Sequence, residues 1–330
     1  MKKTLVLGGT GFVGSHVCQQ LAALPLRITL PTRRPENAKH LKILPTVDVL
    51  TADVHDEAEL TRLVAGHDAV VNLVAILHGS EAAFNHAHVA LPQKLARACQ
   101  AAGVRRVVHV SALGAALDGP SMYQRSKARG ERALGLGAQA GVQAGARPGA
   151  LDLTVLRPSV IFGAEDKFLN VFAKLQRIFP VVPLAGADTR FQPVWVGDVA
   201  QAIVHCLQHP ATAGQIFDLC GPDVMTLKQL VEFSGKASGI RHGQGRPVFG
   251  LPMALGRIQA ALMSLAPGEP LMSRDNLDSM AVDNVSDGRL PGFAAMGITP
   301  ASVQAVAPGY LSVRGRQSAF QDTRRSAGRF

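Results

Sequence analysis

Aromatic residues are scarce in this chain: one Trp, two Tyr and thirteen Phe among 330 residues, 5% in all. With so few rings and no DNA- or RNA-binding motif, a nucleic-acid partner is excluded despite a net charge of +10. Cysteine is scarce too. Cys18, Cys99, Cys206 and Cys220 lie far apart, which excludes a disulfide scaffold or a zinc ribbon and fits a reducing compartment. No histidine or cysteine spacing predicts a metal site. Long apolar runs are also missing: none approaches the roughly 18 residues of a membrane-spanning helix. After Met1-Lys2-Lys3 the apolar stretch Leu5-Val6-Leu7 stops at Gly8-Gly9, too short for a signal-peptide core. The expectation is a cytoplasmic protein, for which peripheral attachment to the inner membrane would leave no mark in these residues.

What is present is a chain that can fold. It is 47% hydrophobic and 18% charged, enough for a sizeable core. At roughly 150 residues per domain, its length allows two domains or one large one. Part of the positive excess sits at the end, where Arg314, Arg316, Arg324, Arg325 and Arg329 face only Asp322. Such a tail reads as a solvated end, or as an attraction toward an anionic cofactor, a membrane surface or an acidic partner.

Compact apolar runs alternate with helical periodicity. Strands are predicted at 4–7, 27–31, 47–53, 69–75, 107–111, 152–157, 191–196 and 215–220. Helices are predicted at 12–24, 57–64, 86–102, 123–134, 168–179 and 198–207, the last capped by Asp198, with a turn at 180–183. A low-complexity Gly/Ala/Gln stretch at 135–149 reads as a flexible insertion. This pace predicts an α/β fold, a Rossmann-type doubly wound parallel sheet with a small C-terminal lobe. The boundary is placed at 1–221 and 222–330. Within the lobe, Met253, Leu255, Arg257, Ile258, Leu262 and Met263 predict an amphipathic helix on the core, a partner or a membrane surface.

Gly8-Gly9-Thr10-Gly11-Phe12-Val13-Gly14 lies between the first strand and the first helix. Its first glycine permits a tight turn, its second lets backbone approach a pyrophosphate, and its third lets helix pack on strand. The helix N-terminus then offers amide N–H groups to phosphate. At the end of the second strand an acidic residue would hold the ribose diol of NAD(H). Here Thr32-Arg33-Arg34 stands instead, and guanidinium groups suit the 2′-phosphate of NADP(H). NADP(H) is therefore the expected cofactor, with NAD(H) the alternative. Asp53 and the backbone of Val54 are placed for the adenine, or for an ordinary turn.

Tyr123-Gln124-Arg125-Ser126-Lys127 is a Y-x-x-x-K motif that sets two side chains on one helix face. An ammonium beside the phenol would lower its pKa from about 10. With the glycines, this motif makes the chain resemble the short-chain dehydrogenase/reductase superfamily, in its extended, NAD-dependent epimerase/dehydratase-like branch. Further segments agree: Asn72-Leu73-Val74-Ala75, Ser111-Ala112-Leu113-Gly114-Ala115, Arg157-Pro158-Ser159-Val160-Ile161-Phe162-Gly163, and Gln192-Pro193-Val194-Trp195-Val196-Gly197-Asp198. Within that branch the chain is similar to the nucleotide-binding accessory subunit of respiratory complex I and its bacterial relatives, over roughly 1–235. Arg274-Asp275-Asn276 also looks like that group.

The resemblance implies that Lys127 holds the nicotinamide ribose and that Tyr123 protonates a carbonyl oxygen. It also implies that Asn72, Leu73, Val74, Ala75, Arg157 and Pro158 line the cofactor. The third catalytic member departs from the pattern. Where active relatives carry Ser or Thr, this chain has Leu113, leaving Ser111 or Ser121 as substitutes. Three readings follow. The leading one, to which the other two are alternatives, is an NADP(H)-dependent oxidoreductase acting on a small carbonyl or quinone in a respiratory context. Another is a non-catalytic NADPH-binding accessory or assembly subunit of a respiratory complex, and the third a sugar-nucleotide epimerase or dehydratase. His78, His86 and His88 cluster in sequence, but read as helix-surface or cap histidines.

Overall fold

The computed structural model describes residues 1–135, 150–263 and 273–312. The 135–149 insertion beyond residue 135, the arginine-rich tail, and the side chains of Leu262 and Met263 lie outside the described residues. The chain runs β1 (Lys3–Leu7), α1 (Phe12–Leu21), β2 (Arg27–Thr32), β3 (Val47–Thr51), α2 (Glu57–Val64), β4 (Ala69–Asn72), α3 (Glu81–Asn85) and, after a π-helical turn (His86–Ala90), α4 (Leu91–Ala102). It continues as β5 (Arg106–Val110), α5 (Met122–Ala133), β6 (Asp152–Pro158), β7 (Ile161–Phe162), α6 (Leu169–Ile178), β8 (Val182–Ala185), β9 (Arg190–Phe191), β10 (Val194–Trp195) and α7 (Val196–Gln208). Last come β11 (Ile216–Leu219), β12 (Met225–Thr226), α8 (Leu227–Ala237), β13 (Val248–Leu251), α9 (Met253–Met263), α10 (Arg274–Ser279) and α11 (Val303–Leu311).

Two compact units share this chain. The first comprises 1–158, 197–219 and 287–298. Its seven strands lie in the order β11-β6-β5-β4-β1-β2-β3, parallel at every pairing. This is the predicted Rossmann-type sheet. Strand order reverses between β1 and β4, the crevice where such sheets take their ligands. Leu5, Leu7, Val70, Val107, Leu153 and Val155 are fully buried, as strands covered on both faces require.

The second unit comprises 159–196, 220–286 and the described residues from 299 on. One crossing from the first to the second unit lies between Leu219 and Cys220, and the units interleave rather than dividing into two contiguous ranges. The chain also crosses earlier, because 159–196 pairs with later segments: β12 runs antiparallel to β9, and β13 runs parallel to β8. Pairing of β13 with β8 likewise makes 182–185 a strand where the prolines predicted a turn. Phe162, Leu169, Leu184, Leu227, Leu230 and Val303 form this unit's core. Asp198 lies inside the first turn of α7 rather than ahead of it. No helix among the described residues is long and apolar enough to cross a membrane.

Candidate functional site

The glycine turn at the head of α1 is built on close backbone contact. Gly8 has φ +79°, the left-handed region, and a Cβ there would meet the Leu73 and Val74 backbone at 3.1 Å. This brings the Gly8–Gly14 turn against the predicted Asn72–Ala75 segment. Gly11 N–H donates to the Gly8 carbonyl at 3.1 Å. At Gly14, a Cβ would stand 2.4 Å from Gly8 O and 2.5 Å from Gly9 Cα. No side chain caps α1, whose N-cap is Gly11. Thr10, Phe12 and Val13 are half-buried around this turn. The result is a backbone cradle of the kind that receives a pyrophosphate.

Arg33 and Arg34 follow β2 as exposed side chains with no acidic partner among the described residues. Thr32 Oγ1 accepts from Arg34 N–H at 3.2 Å and shapes their loop. Asp53 Oδ1 accepts from His55 N–H at 3.0 Å, so it turns the chain after β3 ahead of Val54. His55 stacks on His86 with centroids 4.1 Å apart. Desolvation, then the His86 ring, holds the His55 pKa below its ordinary value, against the pull of Asp53 and with a push from Arg33.

The Tyr–Lys half of the site is a buried polar layer. Lys127 is 2% exposed, and its Nζ donates to Val110 O at 3.1 Å and lies 5.9 Å from the Tyr123 ring centroid. Tyr123 is half-buried against Phe84 and His88. Its pKa is raised to about 12 by desolvation. The direction is opposite to the expected lowering, because loss of water disfavours the charged phenolate. Lys127 itself is lowered to about 8, by desolvation first, with Glu131 opposing.

His88 departs from its sequence reading. It is 2% exposed and bridges three segments. Its Nε2 accepts from Ile76 N–H at 3.1 Å, so its Nδ1–H donates to Ser126 Oγ at 2.8 Å, which in turn donates to Tyr123 O at 2.8 Å. That wiring needs a neutral ring, and desolvation followed by the Lys127 charge lowers its pKa to about 2. The π-helical turn is what carries it inward, a geometry the plain 3.6-residue period does not report. Pro92 has no N–H to give the His88 carbonyl. A Cβ at Gly130 would come within 2.1 Å of that same carbonyl, so the missing side chain lets α5 close on the turn.

Beside this layer, Asn72 and His109 are register partners of β4 and β5, and Asn72 Nδ2 meets His109 Nδ1 at 3.2 Å. His109 is held neutral by desolvation, its pKa lowered to about 3. Arg157 grips Glu131 with two bonds of 2.9 and 2.5 Å, anchoring α5 to β6. Pro158 O accepts from Leu113 N–H at 2.9 Å. Sequence reasoning named Arg157, read His88 as a surface or cap residue, and missed Glu131, Gly130 and His109. A glycine inside a helical pattern was the one visible signal.

Of the two substitute hydroxyls, Ser121 is spent: it caps α5 in a capping box with Gln124. Ser111 Oγ and His109 Nε2 are buried and meet no hydrogen-bond partner among the described residues. Orphaned polar atoms are costly, so two of them beside Lys127 suit a polar ligand. Among the described residues, no group of three or more His, Cys, Asp or Glu side chains is arranged to hold a metal ion.

The family model for the NAD-dependent epimerase/dehydratase family matches residues 4–220. The chain belongs to that family. It is 31% identical over 306 residues to the mouse (Mus musculus) NADH dehydrogenase (ubiquinone) 1 alpha subcomplex subunit 9, mitochondrial, covering 91% of this chain and 77% of that one. Among solved structures, a dTDP-glucose 4,6-dehydratase from Streptomyces venezuelae with NAD bound superposes with TM-score 0.71 at 20% identity, covering 96% and 97% of the two chains. An Escherichia coli NADPH-dependent quinone oxidoreductase complexed with NADPH gives TM-score 0.71 at 19%, covering 93% and 99%. Members of this family bind a nicotinamide dinucleotide, and this chain's glycine cradle and orphaned polar atoms fit one.

Two expected outcomes follow from the buried layer. Replacing His88 with Ala strands Ile76 N–H, leaves Ser126 Oγ only its bond to Tyr123 O and opens a cavity, so chemical denaturation should show a loss of about 3 kcal/mol. The second concerns pH. Lys127 has a folded pKa of about 8 against an ordinary 10.5, so between those values the unfolded chain binds a proton that the folded chain does not. Stability attributable to Lys127 therefore rises with pH across that window and is lost below it, a span of about 3 kcal/mol. Lys127→Met should abolish this part of the slope. Wild type and variant showing the same stability difference at both ends of the window would refute it.

Proposed function

We propose that this family member holds NADP(H) as a structural ligand, as an accessory or assembly subunit of a respiratory NADH dehydrogenase. The observation that carries the non-catalytic part is Leu113. It is 7% exposed and stands where the family pattern places a hydroxyl, so no hydroxyl there orients a carbonyl. The respiratory context rests on likeness to the mouse subunit. In this reading Gly8, Gly11 and Gly14 receive the pyrophosphate, Arg33 and Arg34 the 2′-phosphate, and Asp53 with Val54 the adenine. Asn72, Leu73, Val74, Ala75, Ser111, Tyr123 and Lys127 hold the nicotinamide half, with Arg157 and Pro158 supporting it. A ligand present at 100 times its Kd would stabilise the fold by about 2.7 kcal/mol without any chemistry. Its place would be the cytoplasm, at the inner face of a respiratory membrane.

A second reading is favoured by the Tyr–Lys pair. Bound nicotinamide supplies a hydride, and a Tyr123 held neutral up to about pH 12 keeps a proton to give a carbonyl or quinone oxygen. The test is single-turnover oxidation of bound NADPH with a panel of quinones and small carbonyls. Persistence of the reduced-nicotinamide absorbance favours the structural ligand. Oxidation that disappears in Tyr123→Phe would establish the enzyme instead.

A further inference from the structure

The second unit carries an apolar face that α9 and α10 cover at its Ala185 end, where Ala185, Ala260 and Leu277 are buried together, and that is exposed beyond it. In the β8–β13 ladder, Val182 pairs with Val248 and Pro183 with Phe249. Val182, Leu184 and Val248 are buried in the unit's core. Alternation along each strand therefore sends Val181, Pro183, Pro247 and Phe249 to the opposite face, where all four are exposed. Parallel strands are ordinarily covered on both faces, so an open apolar side on one is unusual.

Further exposed apolar side chains stand on the elements that flank this ladder in sequence. The last turn of α6 carries Ile178, 72% exposed, and Phe179 follows at 51%, while Phe249 is 58% exposed. Arg246, just ahead of β13, is tied to α6: its Nε donates to Gln176 O at 3.2 Å and its backbone N–H to Gln176 Oε1 at 2.9 Å. Helix α9 continues from β13 and exposes Leu255 and Ile258, three residues apart and so on one side. The charge around these residues is mainly positive, although Arg257 pairs with Asp278 at 3.6 Å. Segments 167–187 and 233–263 contain Lys174, Arg177, Lys236, Arg241 and Arg246 and no Asp or Glu, with Glu165, Asp166, Asp188 and Glu232 outside their ends. The whole chain, by contrast, balances 34 basic against 24 acidic residues.

We propose that this face docks the second unit onto a membrane surface rich in anionic lipid. Phe249, Ile178, Phe179, Leu255 and Ile258 enter the boundary between headgroups and acyl chains, while the flanking lysines and arginines meet lipid phosphates. An apolar centre with a cationic rim is the composition such interfaces select. A second copy of this chain fits poorly, since pairing two such faces would set cation against cation. The proposal rests on the membrane-side placement given above, and it does not depend on which nucleotide the first unit holds.

The test is sedimentation of the full chain with vesicles of phosphatidylcholine containing roughly 30% phosphatidylglycerol, against pure phosphatidylcholine vesicles. Binding to the anionic vesicles, falling by about tenfold or more in Phe249→Asp and in the pair Lys174→Glu with Arg177→Glu, and weakened by added salt, is the expected result. Nucleotide titration and circular dichroism on the same samples separate a lost face from a lost fold. They also separate failure of this proposal from failure of the nucleotide reading. Absence of vesicle binding, binding unchanged in Phe249→Asp, or a dimer in light scattering that Phe249→Asp dissociates would each overturn it.

Discussion

Replacing Gly14 with Ala is expected to abolish dinucleotide binding, with affinity down at least about 100-fold, and to cost about 3 kcal/mol of stability. The added Cβ would sit 2.4 Å from Gly8 O and 2.5 Å from Gly9 Cα, and both neighbours are backbone. Neither can rotate away. The first turn of α1 must lift off the β1 turn, and the amide groups that meet the pyrophosphate move with it. Gly309→Ala supplies the control: it is an exposed helical position with nothing within 4 Å of the added atom. That change should be neutral or slightly stabilising, by less than about 1 kcal/mol. Denaturation curves and a fluorescence titration with NADPH measure both quantities. Gly14→Ala protein that binds as tightly as wild type would remove the glycine turn from the site.

The second large effect is on selectivity. With Arg33 and Arg34 both changed to Ala, NADPH affinity should fall about 100-fold or more, while NADH affinity changes by less than about threefold. Each guanidinium is exposed, belongs to no ion pair among the described residues, and stands at the end of β2, where the adenosine ribose is read in this family. A charge-assisted bond to a phosphate contributes about 1.5–3 kcal/mol, and only NADP(H) has the group that makes it. Equal losses for the two nucleotides would mean the arginines act on the pyrophosphate or on the loop itself. No loss for either would mean that they are solvated charges.

The parallel sheet was legible because its strands are short apolar runs closed by glycine or a polar residue, a pattern that burial on both faces imposes. Gly8 and Gly14 were legible because a side chain is poorly tolerated there: Gly8 has φ +79°, and a Cβ at Gly14 would stand 2.4 Å from backbone. Less visible was the way the chain threads between units. The exchange of 159–196 depends on β9 and β8 pairing with strands that lie tens of residues later, and two-residue strands such as Arg190–Phe191 leave almost no periodicity. His88 was misread because a helical wheel assumes 3.6 residues per turn, whereas the π-helical turn rotates it into the core. The sign of the Tyr123 shift was missed because the motif shows the ammonium and conceals the burial. Leu113 was readable as a departure from the family pattern, and the structure adds that its side chain is buried.

The most direct measurement is on the nucleotide the protein holds. Protein purified without added cofactor is denatured, the released dinucleotide identified and quantified, and the emptied chain titrated with NADPH and NADH. Close to one equivalent of NADP(H), with NADPH at least about 100-fold tighter than NADH, is the predicted result. NADH recovered in its place, or no preference between the two in titration, would contradict it.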